Sequence, residues 1–114
     1  MKQHAAMTEE RWSRFDLDRQ VLMIANEMNR TTRLLADADP QPRRRGYERI
    51  LRLTDLTIAL APRRTFRREM LRWRDLIAAL YMADTAQPDQ HRSAFRVLLL
   101  SRPVAAQQIP LLLR

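Results

Sequence analysis

At 114 residues, with 46% hydrophobic residues, 6% aromatics and a single glycine, the chain has the length of one domain and a core that must be built from Leu, Ile, Met and Ala, which suits helix packed on helix. The lone Gly46 excludes P-loops and dinucleotide-binding turns, which need several glycines where backbone meets phosphate. The absence of cysteine excludes disulfides, zinc–thiolate and iron–sulfur sites and thiol nucleophiles. The formal charge of +8 is concentrated in residues 40–74, which hold 11 basic and 3 acidic groups.

The start, MKQHAAMTEERW, has no apolar run of signal-peptide length, and no stretch approaches the roughly 20 apolar residues of a membrane span. Cytoplasm is therefore the expected location, with no membrane partner. Thr8 followed by Glu9 and Glu10 reads as an N-cap with acids in the first turn. From Leu17 the positions Leu17, Val21, Ile24, Met28, Thr31 and Leu35 form one stripe, predicting a first helix from about residue 9 to Ala38, ended by Asp39-Pro40. Trp12, Phe15 and Leu22 project to nearly the opposite side, so either the helix bends near Asp16 or a second apolar face exists.

A second helix is expected from Pro40–Arg43 to just before Pro62. Its two adjoining stripes, Ile50, Leu53, Leu56, Leu60 and Tyr47, Leu51, Thr54, Ile58, make about half its circumference apolar, so it should be covered from two sides. A third helix from about Thr65 to Met82 carries Phe66, Met70, Trp73, Ile77 and Leu80. The two helices echo one another: Pro42–Leu60 and Pro62–Leu80 are identical at nine of nineteen positions. After Asp84–Pro88, residues 88–101 form a possible shorter fourth helix on Phe95, Leu98 and Leu99, and 103–114 an irregular apolar tail. The expected fold is all-α: an antiparallel bundle of three long helices, core about 9–82, in one domain spanning 1–114.

Candidate sites are few. Asp55 and Asp75 sit beside Arg52 and Arg72, and Glu48 beside Arg52, as surface ion pairs on one helix. Glu27 and Glu69 flank their stripes near Arg30 and Arg72, and neither has the histidine three residues on that carboxylate-bridged metal bundles need. His4 and His91 have no recognisable triad partner. No catalytic residue, metal, cofactor or small-molecule substrate is indicated. The arginine runs Arg43, Arg44, Arg45 and Arg63, Arg64, Arg67, Arg68 sit at helix starts, where free N–H groups favour an anion. In antiparallel helices they lie at opposite ends, so a long polyanion contacts both and a nucleotide does not.

The segments WSRFDLDRQVLMIANEMNR, YERILRLTDLTIAL and RREMLRWRDLIAALY, within Trp12–Tyr81, resemble a small prokaryotic helical family. Its pattern is a Trp, a Gln, Glu-x-x-Arg, an LxLxDLTI segment and a closing RxELLRxRE helix. This chain departs from it with Asp75 in place of Glu and with a longer C-terminal extension. The family has no established activity, so the resemblance implies helicity and brings no site residues.

The expectation is a non-enzymatic helical interaction module that self-associates, a dimer being favoured, with Trp12, Phe15, Leu22, Leu111, Leu112 and Leu113 as interface candidates. The alternative is a nucleic-acid-binding or ribosome-associated regulator using the arginine-rich middle. Three fates are open for the C-terminal apolar segment, Val97–Leu100 followed by Val104, Ile109 and Leu111–Leu113: folding back on its own bundle, packing on another subunit, or disorder.

Overall fold

A computed structural model describes residues 7–114, and among them the chain is helical with no strand. Seven helices follow one another: α1 (Glu9–Trp12), α2 (Leu17–Thr32), α3 (Pro40–Leu60), α4 (Arg64–Met82), α5 (Pro88–Leu100), α6 (Pro103–Ala106) and α7 (Ile109–Leu112). Four are long. Their order of packing is α2 on α3, α3 on α4, and α5 across both α4 and α2. Cross-contacts fix the directions. On α3 and α4, Asp55 meets Arg74 and Glu48 meets Tyr81; on α2 and α3, Glu27 meets Arg49 and Thr31 meets Gly46; so α3 runs opposite to both α2 and α4.

The first expected helix is in fact two. Thr8 caps α1 through its hydroxyl on the Arg11 N–H (3.2 Å), and Asp16 caps α2 through its carboxylate on the Arg19 N–H (2.8 Å). Between them, the Gln20 side-chain amide donates to the carbonyls of Trp12 (3.2 Å) and Phe15 (3.0 Å), which satisfies the backbone that the break would otherwise orphan. The break lets Trp12 turn into the core, where its indole N–H donates to Thr57 Oγ1 at 2.9 Å. The off-stripe position of Trp12 is thus a bend and not a second face.

Helix α2 also stops earlier than Ala38. It ends at Thr32, whose hydroxyl bonds back to the Met28 carbonyl (2.9 Å), and a short turn carries the chain to Asp39, the N-cap of α3. Gly46 lies where α2 and α3 touch: a Cβ there would stand 2.4 Å from Thr31 Oγ1. The glycine is therefore a packing requirement of this crossing and not a turn residue. The wide apolar arc of α3 is covered from three sides, by α1, α2 and α4.

The tail is not irregular. The single-turn α6 packs on α5 and α2 and buries Ala105, while Ile109 and Leu112 of α7 pack against the core and Leu113 beyond it is buried. Arg102 pairs with Asp18 of α2 (2.7 Å), and Arg92 of α5 donates to the Leu113 carbonyl.

Candidate interaction face

The basic runs divide on folding. Arg43 is an interior residue, 3% exposed, whose Nη2 reaches the carbonyls of Ala83 (3.3 Å) and Asp84 (3.4 Å) beyond the C-terminal end of α4. A cation is favourable there because a helix end presents unpaired carbonyls and a partial negative charge. This corrects its assignment to a solvent-facing anion site. Its Nε has no hydrogen-bond partner. Arg44 is half-buried and Arg45 exposed at the same end, whereas Arg63, Arg64, Arg67 and Arg68 are all exposed at the other. The structure therefore separates the two runs by the length of α4, about 28 Å at 1.5 Å per residue.

The expected interface set is also redistributed. Trp12 is wholly buried within its own chain, Phe15 and Leu22 are half-buried against the core, Leu113 is buried and Leu112 half-buried. Only Leu111 of that set remains open to solvent. The apolar surplus that the sequence displays is largely consumed in cis, because the α1–α2 break and the folded tail bring it inward.

Ionic contacts are structural. Glu27 is buried between Arg49 (3.2 Å) and Arg30 (3.4 Å). Asp55 pairs across helices with Arg74, and Arg52 donates to the Met7 carbonyl (2.8 Å). His4 lies outside the described residues. His91 has partners that sequence inspection missed, because they come from other helices. Its Nδ1 lies 2.8 Å from the Tyr47 hydroxyl, and its Nε2 lies 2.9 Å from Thr32 Oγ1 and 3.2 Å from the Met28 carbonyl. The Thr32 proton is directed at Met28 O, so Nε2 carries a hydrogen and Nδ1 accepts from Tyr47. Burial holds the imidazole below its ordinary value of 6.5 and pushes the Tyr47 phenol up to about 12. A neutral ring with both nitrogens occupied and 1% exposure is a core tie between α2, α3 and α5. Among the described residues, no group of three or more acidic or histidine side chains is placed to hold a metal ion, and no helix is long and apolar enough to cross a membrane.

Leu71, Met82, Val104 and Leu111 remain exposed, and three further open apolar side chains gather at the seam between α4 and α5. Trp73, buried, donates its indole N–H to the Ala94 carbonyl at 2.7 Å and pins the two helices at the floor of this seam. Above it run two adjoining hollows of about 540 and 650 Å³ that share Leu76 and Val97. Leu76, Val97 and Leu100 are 46%, 50% and 61% exposed. Small or apolar residues make the walls: Ala79, Leu80 and Ala83 from α4 and its end, Ala94 from α5. Val97–Leu100 is legible in the sequence as an apolar segment in need of cover, whereas Leu76, apolar yet off the α4 stripe, is not.

Charges of both signs surround the seam. Arg64, Arg68 and Arg72 descend the outer bank of α4 in steps of four residues, about 6 Å each, and Arg96 stands on α5 beside Val97. All four are exposed and make no ion pair among the described residues. Glu69 partly offsets this basic end. Asp75 borders the second hollow beside Leu76, and Asp84 and Asp89 are exposed in and just after the turn joining α4 to α5, with Arg92 exposed one turn on. No family model, curated protein or solved structure matches this chain, so the geometry of this face is the ground on which its function is read.

Proposed function

We propose that the protein is a non-enzymatic helical interaction module that binds another helical surface in the α4–α5 seam. One observation carries the reading: half-exposed Leu76, Val97 and Leu100 stand together over two adjoining hollows between α4 and α5. Apolar side chains arranged at helical spacing around a groove suit an amphipathic helix, whose anchors recur at i, i+3 and i+4. The test is fluorescence anisotropy with a panel of labelled amphipathic helical peptides, run beside sedimentation of the protein alone. Leu76→Asp should abolish whichever association is seen while leaving the far-UV circular dichroism unchanged. The reading is refuted if the wild type shows neither form of association, or if the association is indifferent to Leu76.

A second reading is favoured by the arginines of α4, a row without ion pairs among the described residues that suits a polyanion such as nucleic acid. Binding of this kind should fall steeply between 50 and 200 mM salt. The aromatic residues Phe66, Trp73 and Phe95 are buried, so such binding would rest on phosphates and not on stacked bases.

A further inference from the structure

We infer that the first half of α4 is a docking site for the phosphate backbone of a double-stranded nucleic acid, held by Arg63, Arg64, Arg67, Arg68 and Arg72. The inference rests on the polyanion reading above and supplies the form of that partner and the place where it binds. Folding sorts the arginines into those already used and those left over. Arg43 lies on the carbonyls beyond α4, Arg49 on Glu27, Arg74 on Asp55 and Arg102 on Asp18, so each of these has its acceptor inside the chain. The five from Arg63 to Arg72 are exposed, and their guanidinium groups make no ion pair or hydrogen bond among the described residues. Five cations within about three helical turns repel one another, and the acids among or next to them are only Glu69 and Asp75. A polyanion laid over the cluster relieves that repulsion.

Spacing and surroundings select the polymer. Arg64 and Arg72 stand about 12 Å apart along α4, too far for one phosphate group, while the same length of duplex axis carries about seven phosphate charges. Arg67 and Arg72 project to opposite flanks of the outer face. Arg67 lies on the side where Arg74 reaches α3, and Arg72 on the side of the seam with α5, so the cluster is broad as well as long. Arginine suits phosphate because its planar fork gives two parallel N–H···O bonds. Single strands are the poorer match. Of the seven aromatic side chains, five are buried and Phe15 and Tyr81 are half-buried, so no ring is open for bases to stack on. Helix α4 also has no Asn or Gln, the side chains that read adenine edges, so contact with the backbone and indifference to sequence are the expected mode. A bilayer fits less well too. Leu71 is the one large apolar side chain exposed among the five arginines, whereas a helix that enters a membrane interface needs a continuous apolar face.

The experiment is fluorescence anisotropy of the full chain with a labelled DNA duplex of about 20 base pairs, an RNA duplex of the same sequence and the separate strands, between 50 and 200 mM salt. With four to five arginines on phosphates, the logarithm of duplex affinity should fall with that of salt at a slope of about −4, roughly a 250-fold loss across this range. Arg64→Gln with Arg68→Gln should make the slope shallower by about 2 and cost at least about tenfold at the lower salt. Arg33→Gln with Arg45→Gln removes the same charge from exposed positions at the opposite end of the bundle, and should cost less than about threefold. Both variants should keep the far-UV circular dichroism of wild type. Equal losses in the two variants would overturn the site and leave only a general attraction of the net charge. Strands bound as tightly as the duplex through Arg64 and Arg68 would overturn the duplex and leave the polyanion reading standing. Binding through the same arginines to vesicles of about one-third phosphatidylserine in phosphatidylcholine, without duplex binding, would overturn it in favour of a membrane surface. No binding of duplex, strand or vesicle at the lower salt removes the inference and the polyanion reading together. A preference between the DNA and RNA duplexes, in either direction, supports the inference and names the source of the backbone.

Discussion

Replacing Gly46 by alanine sets two effects of known sign against each other. In an exposed helix interior the change would stabilise α3 by about 1 kcal/mol, because glycine carries the larger backbone entropy cost. Here the new methyl would stand 2.4 Å from Thr31 Oγ1 and 3.1 Å from Thr31 Cγ2. Thr31 cannot swing away, since it is wholly buried and β-branched, with a stiff χ1 on a helical backbone. Overpacking of a tight core costs about 1–3 kcal/mol, and a contact this short belongs at the upper end. The net expectation is a loss of about 1–2 kcal/mol, or a melting point lowered by roughly 4–8 °C for a chain of this size. Thermal and urea denaturation of Gly46→Ala, Thr31→Ala and the double variant test this as a cycle. Thr31→Ala also removes a buried hydroxyl that has no hydrogen-bond partner, so it should cost little alone and should restore stability to the alanine at 46. A Gly46→Ala protein as stable as wild type would refute the close crossing of α2 and α3.

Three further outcomes are expected. Arg43→Ala should destabilise by about 2 kcal/mol, through lost packing and lost bonds to the α4 end, while Arg45→Gln, exposed two residues on, should stay within about 0.5 kcal/mol; equal effects in urea melts would contradict the burial of Arg43. Stability should fall as pH drops below about 6.5. The folded state holds His91 below its ordinary value, so the unfolded chain binds the extra proton, and no carboxylate is among the hydrogen-bond partners of the ring to offset its charging. His91→Gln should flatten that part of the pH–stability curve. Deleting residues 103–114 should lower the melting point with the helices retained, since Ala105 and Leu113 are buried against the rest of the chain; an unchanged melt would place the tail off the core.

The sequence made much of this fold legible, and the reasons differ by element. Helices α3 and α4 were bounded by Pro40, Pro62 and long periodic stripes, signals that are local and therefore readable. The α1–α2 break was visible only as a contradiction, Trp12 and Phe15 facing away from the later stripe. Its resolution depends on Gln20 and Thr57, and Thr57 lies 45 residues from Trp12. The tail was misread because Pro103 and Pro110 rule out one long helix but are well suited to open short ones. Of the candidate site, the charges of Arg63–Arg68 were legible, while Arg43 was not, since its partners are backbone carbonyls forty residues away. Of the α4–α5 seam, Val97–Leu100 was legible as apolar surface in need of cover, while Leu76 gains meaning only when two helices lie side by side.

The position of α5 bears on the order in which the chain assembles. Helices α2, α3 and α4 each pack on the next in sequence, so these contacts close short loops and need little prior organisation. Helix α5 differs, because it returns to α2 through His91 and Thr32, 59 residues apart, and Arg102 reaches Asp18 across 84. Those long closures gain from the other three helices being already in place. Substitutions at His91 should therefore speed unfolding and leave the folding rate nearly untouched, whereas changes between α3 and α4, such as Asp55→Asn, should slow folding itself. The buried histidine would then serve less as a foundation of this chain than as its last fastening, and the rate at which that fastening opens would set how long the native state persists.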